Sequence, residues 1–190
     1  MTAADRVALL GVARGALEAA LAGRAPPPLP DTPAARAQRG VFVTLEADGA
    51  LRGCVGQPCT DRALGALVRE MAVAAARDDP RFPPVSGDEL GAVRIAIAVL
   101  TEPARLHPVL EEAIAIGRDG LLVRRRGASG LLLPQVASEQ RWGPEAFLAA
   151  ACRKAGLAPD AWREPGTDVF TFQADVFGES GDEGGGTGDA

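Results

Sequence analysis

The strongest constraint on the fold of this chain is an order of elements that occurs twice. Residues 40–56, "GVFVTLEADGALRGCVG", read as two strands around an Asp48-Gly49 turn, with Val41, Val43 and Leu45 alternating on one face. Thr60 then caps a helix carrying Leu64, Leu67, Met71 and Ala75 at helical spacing, stopped by "DDP" before Pro80. The β-branched run "VRIAIAVL" follows as a buried strand. After a short helical piece near Val109 to Ile116 the order returns. "GLLVRRRGASGLLLPQV" is a second hairpin, "GPEAFLAAACRKAG" a helix with Pro144 at its first position and Gly156 past its end, and "DVFTFQADVF" a final strand. At an offset of 80 residues Gly40 falls on Gly120, Leu51 on Leu131 and Cys54 on Pro134. The pattern predicts an α+β fold whose mixed β-sheet is built from two hairpin-helix-strand repeats with flanking helices, and sub-lobes at about 37–101 and 117–178. With the halves about a pseudo-twofold axis, "RGCVG" and "LPQV" would line one cleft.

Outside the repeats, an amphipathic helix is predicted from about Ala4 to Ala22, followed by a proline-stiffened strap, "APPPLPDTP". The glycine-rich stretch 180–190 has almost nothing to bury and is predicted to be disordered. A chain of 190 residues suits one domain, here 1–179. Its net charge of −5 is spread over short segments, which argues against nucleic acid as a partner. Arg14 and Glu18 interrupt the apolar N-terminal stretch, so no membrane span is expected, and Asp5 with the helical spacing of its apolar positions argues against a signal peptide, so a cytoplasmic location is expected. Three irregularly spaced cysteines (Cys54, Cys59, Cys152) and a single histidine, His107, suggest no disulfide framework and no metal site. No cofactor is indicated.

Chemistry concentrates in three segments. In "LRGCVG", strand alternation puts Arg52 and Cys54 on one face and turns Leu51 and Val55 to the core. A guanidinium and the N-terminus of the helix from Thr60 would favour the thiolate, making Cys54 a candidate nucleophile. The alternative is a small side chain buried where Gly53 and Gly56 allow close packing. "DDPRFPPV" holds Asp79, Arg81 and Phe82 in a proline-fixed loop, suited to ligand binding or to a rigid helix stop with Asp79 paired to Arg81 and Phe82 in the core. "LLLPQVASEQRW" offers Gln135 and Glu139, with Pro134 marking an edge or bulged strand and Trp142 an anchor for the next helix. Arg52, Gly53, Asp79, Arg81, Gln135 and Glu139 are the candidate binding residues around Cys54. The basic run Arg124 to Gly127 reads as a solvated turn, since no aromatic interleaves it. Lys154 suits the end of its helix, and no nucleophile-base dyad can be assembled by spacing.

With these motifs in view, the chain resembles the AMMECR-type family, the protein A of the AmmeMemoRadiSam system. The resemblance runs from about Gly40 to Glu179 and rests on "GVFVTL", "LRGCVG", "DPRFPPV", "EL", "LLLPQVASE", Trp142, "CRKAGL" and "VFGE". Val55 stands where the family usually has isoleucine, and Cys59 is extra to the motif. The resemblance implies an α+β fold with duplicated halves and two neighbours, a Memo-like protein and a radical S-adenosylmethionine enzyme. It brings no defined reaction or cofactor. Two function classes follow: an enzyme component using Cys54 with Arg52, or a non-catalytic binding or adaptor module for RNA or a small molecule. The shortage of a base favours the second, or a site completed by a partner.

Overall fold

A computed structural model describes residues 1–179, so the predicted disorder of 180–190 lies outside the described residues. The fold is α+β, as expected. Its elements are α1 (Ala3–Leu21), α2 (Pro33–Arg36), β1 (Val41–Ala47), β2 (Ala50–Gln57), α3 (Leu64–Arg77), β3 (Val93–Leu100), β4 (Ala104–Arg105), β5 (Gly120–Arg125), β6 (Ala128–Leu132), α4 (Pro134–Glu139), α5 (Pro144–Lys154), β7 (Asp168–Phe172) and β8 (Ala174–Gly178).

The strands form two four-stranded sheets, ordered β2-β1-β3-β8 and β4-β7-β5-β6, in place of one mixed sheet. Every pair whose register is resolved is antiparallel. The physical reason is that each hairpin carries its own helix and its own apolar face. In the first sheet Val41, Val43 and Leu45 pack with Leu9 and Leu17 of α1 and with Leu64, Leu67 and Met71 of α3. In the second, Leu121, Val123 and Val169 pack with Phe147, Leu148 and Ala151 of α5 and with Trp162. The described residues fall accordingly into two compact units, 1–99 with 175–179, and 100–174.

The repeat is visible as one strand order: the hairpin's second strand, its first strand, the strand after the helix, then an edge strand, giving β2-β1-β3-β8 and β6-β5-β7-β4. The stretch "DVFTFQADVF" is therefore two strands, β7 and β8, which belong to different sheets. The expected match of Cys54 with Pro134 does not hold. Leu45 pairs with Gly53 and Thr44 with Cys54 in the first hairpin, where Val123 pairs with Gly130 and Leu122 with Leu131 in the second. Cys54 thus matches Leu131, and Pro134 opens α4 instead of continuing a strand. Two local features shift the register: the second turn falls at Arg126-Gly127, and a bulge interrupts β2 between the partners of Leu45 and Glu46.

The other elements follow local chemistry. Thr2 and Asp5 form a capping box on α1. Pro33 takes the first turn of α2 behind the Thr32 cap, so the strap ends in a helical turn. Helix α3 starts later than expected, after Ala63, and Thr60 accepts a hydrogen bond from Arg62 N–H instead of capping it. Pro144 and Gly156 bracket α5 as predicted, Gly156 having φ 72°. No helix among the described residues is long and apolar enough to cross a membrane.

Candidate functional site

The chemistry of the first unit gathers where β2 passes the last turn of α3 and the loop after it. Gly53 is what permits this approach: a Cβ there would sit 2.1 Å from the Ala75 carbonyl oxygen. It is thus the C-terminal end of α3, and not a helix N-terminus, that touches the strand at Gly53. The bulge at Arg52 breaks the alternation, so Leu51 is exposed while Val55 alone packs toward the core. Cys54 stands on the sheet face opposite the core with its partner Thr44, whose hydroxyl donates to Cys54 Sγ at 3.3 Å.

Asp79 fixes this corner. Its buried carboxylate accepts from Cys54 N–H at 2.8 Å, from Arg81 N–H at 3.1 Å, and from Arg81 Nε and Nη2 at 2.9 and 2.6 Å. The Arg81 fork, followed by the two backbone donors, holds the Asp79 carboxyl well below the usual carboxylate range against the opposing effect of burial. Arg81 in turn is held charged, reaches Cys54 O at 3.4 Å, and lies over the Phe82 ring at 5.4 Å. Phe82 is only half-buried, and Val85 fills the core position that the sequence suggested for it.

Arg52 engages the loop after α3. Its Nε and Nη2 bind both oxygens of Glu89 at 3.0 and 3.2 Å, and its Nη1 and Nη2 bind the carbonyls of Pro83 and Pro84 at 2.8 and 3.4 Å. Glu89 also accepts from Ser86 N–H, and Arg52 first and Ser86 next push its carboxyl down to about 2. Arg52 is thus a clamp on the proline loop, and Arg81 is the guanidinium beside Cys54. Sequence reasoning missed Glu89 and Thr44. The "EL" of the motif set contained the first, and the second is the polar residue between Val43 and Leu45 in "VTL".

The structure brings Arg52, Gly53, Cys54, Asp79 and Arg81 together in the first unit. Gln135 and Glu139 belong to the second, one helical turn apart on α4 and both exposed. Of the other cysteines, Cys59 is exposed and Cys152 is buried, with burial pushing the Cys152 thiol up. Among the described residues no cluster of His, Cys, Asp and Glu side chains is arranged to hold a metal ion.

The model of the AMMECR1 family matches residues 10–177. The chain belongs to the AMMECR1 family. It is 47% identical over 184 residues to a protein of Methanothermobacter thermautotrophicus, covering 91% of this chain and 93% of that one. A protein of Thermofilum pendens is 42% identical over 196 residues, with 95% and 92% covered. The crystal structure of the uncharacterized protein PH0010 from Pyrococcus horikoshii superposes with a TM-score of 0.84 at 40% identity, over 90% of each chain. The AMMECR1 match takes in all of the Cys54 corner and both hairpins.

Proposed function

We propose that this AMMECR1-family protein is a ligand-holding component of a cytoplasmic assembly with a Memo-like protein and a radical S-adenosylmethionine enzyme, its own site being the corner of Thr44, Cys54 and Arg81. One observation carries the reading: the carboxylate that binds the Cys54 backbone, Asp79, is committed to four donors and held anionic, which makes it a poor base. What remains at the corner is a donor set, a half-exposed guanidinium and a threonine hydroxyl, beside a thiol. Such a set holds an electron-rich ligand and lacks the base that nucleophilic catalysis requires.

A second reading is that Cys54 is a nucleophile whose base a partner supplies. It is favoured by the partial exposure of Cys54 and by the Thr44 hydroxyl bond to its sulfur. The test mixes the purified chain with the Memo-like and radical S-adenosylmethionine proteins of the same organism and follows association by sedimentation velocity. Small molecules retained by the complex are then identified by mass spectrometry. The expected result is a stable complex whose retained ligand is lost in Arg81→Gln and kept in Cys54→Ala. A retained compound that is chemically converted by the wild type and not by Cys54→Ala would establish the second reading. Absence of any complex at micromolar concentrations would remove the assembly.

A further inference from the structure

We infer that the tip of the β5–β6 hairpin, in the second unit, binds the phosphoryl group of a small phosphorylated ligand. This is independent of the Cys54 corner. The duplication supplies the comparison that carries it. Both hairpins close with a two-residue turn whose central residues are left-handed: Asp48-Gly49 at φ 52° and 75°, and Arg126-Gly127 at φ 47° and 85°. Turns of this kind favour asparagine or aspartate followed by glycine, because the short side chain tolerates φ above zero. The first hairpin obeys the rule. The second has an arginine at the equivalent place, in a backbone conformation that disfavours long side chains, so the turn geometry does not account for Arg126.

The surroundings show what the charge is set among. Arg125 pairs with Glu164 and Arg105 with Asp168, the Arg124 guanidinium lies over the Phe170 ring at 5.5 Å, and Arg126 is exposed and enters no ion pair among the described residues. Among the described residues, Arg105 and Arg125 are thus matched to carboxylates and Arg126 is not. The expectation that no aromatic accompanies the basic run was incomplete, because strand pairing sets Phe170 beside it from β7. Beside the turn lies a concavity of about 240 Å³ lined by the three consecutive arginines, Ser129, Gly166 and Asp168.

The arginine and serine residues that line this concavity supply donors suited to the several oxygens of a phosphoryl dianion better than to a single carboxylate. Asp168, which also lines the concavity, is already engaged by Arg105. An extended nucleic acid is disfavoured on two grounds. The chain as a whole is anionic at −5, and Phe170 lies under Arg124 instead of standing free as a stacking platform.

The test titrates the full chain, labelled with ¹⁵N, with sodium pyrophosphate and separately with ATP at low salt, following backbone amide signals. Saturable shifts confined to Arg124–Ser129 and the 166–168 segment are expected with both probes. Arg126→Asn keeps a residue suited to the left-handed turn and removes the charge. It is expected to weaken binding about tenfold or more while raising Tm by about 2 °C as strain is relieved. Arg24→Gln, an exposed arginine of the first unit, is expected to change neither. The inference is overturned if neither probe gives saturable shifts, if the shifts spread over exposed arginines generally, or if Arg126→Asn binds as well as wild type. It is overturned equally if Arg126→Asn lowers Tm, since the fold would then require the arginine. Binding of a single-stranded RNA oligomer that pyrophosphate cannot compete away would assign the patch to a nucleic acid and refute the small-ligand reading.

Discussion

Removing the Asp79 carboxylate, as Asp79→Ala, isolates what holds the Cys54 corner in shape. The side chain accepts four hydrogen bonds, and the one that matters most comes from Cys54 N–H at 2.8 Å, because the variant offers that amide no replacement. Leaving a buried donor unsatisfied costs about 1–3 kcal/mol. The lost fork to Arg81 adds only about 1 kcal/mol, since the guanidinium is half-exposed and regains water. The sum is about 3 kcal/mol. Asp79→Asn keeps an acceptor oxygen for Cys54 and is expected to cost about half as much, the charged fork being its main loss. The pH dependence has a definite sign. The folded Asp79 carboxyl is held below its unfolded value of about 3.9. Its contribution is therefore fully present above that value and is lost as pH falls through the folded one. The stability gap between wild type and Asp79→Ala should thus be constant near neutrality and shrink below about pH 4. Both tryptophans, Trp142 and Trp162, lie in the second unit, so fluorescence would not report on this corner. Urea unfolding by far-ultraviolet circular dichroism and hydrogen exchange of the Cys54 amide are the suitable readouts. A loss under about 1 kcal/mol, or Asn as costly as Ala, would refute the assignment of the main cost to an orphaned Cys54 amide.

Further predictions concern the same scaffold. Gly53→Ala and Gly130→Ala should each destabilise by about 2 kcal/mol or more, because the new Cβ would meet Ala75 O at 2.1 Å in the first and Ala155 N at 2.4 Å in the second. Thermal melts of the two variants check this, and a wild-type Tm in either would contradict it. Alkylation of the folded chain, followed by mass spectrometry, should modify exposed Cys59 first, Cys54 more slowly, and Cys152 only on unfolding. Modification of Cys152 before Cys54 would be inconsistent with the packing of α5. Glu89→Gln should release Arg52 and Ser86 together and make the 83–89 loop a site of limited proteolysis, which an unchanged digestion pattern would rule out.

How far the sequence could be read depended on whether a signal was local. The hairpins, α1, α3 and α5 were legible because each follows a short-range rule: alternation about Asp48-Gly49, helical spacing from Leu64 to Ala75, a proline at the start of α5 and a glycine beyond its end. The division into two sheets was not, because it depends on where the chain goes after Leu100 and after Phe172. A single residue, Gln173, separates β7 from β8, which no turn signal marks. The pairing of Asp79 with Arg81 was among the readings open from spacing. That Asp79 also takes the Cys54 amide was not, since it joins residues far apart in the chain through Gly53's contact with α3. The partners of Arg52 were not legible for a similar reason: an unforeseen bulge in β2 lies at this residue, and its guanidinium binds Glu89.

The duplication separates what the fold requires from what it merely carries. Gly53 and Gly130 occupy equivalent places in the two hairpins, and in both the glycine lets a strand touch the backbone of the last helical turn, Ala75 in one unit and Ala151 in the other. A residue present in both copies for the same steric reason is explained by packing, and the glycine of "RGC" needs no further role. Cys54 is different. Its counterpart is Leu131, paired with Leu122 where Cys54 pairs with Thr44, so the architecture accepts an aliphatic pair at the position that the first unit gives to a thiol and a hydroxyl. The Asp79 latch acts on the Cys54 backbone and would serve any side chain there. The thiol, the Thr44 hydroxyl that donates to it and the outward edge of Arg81 are therefore the groups that the fold does not explain.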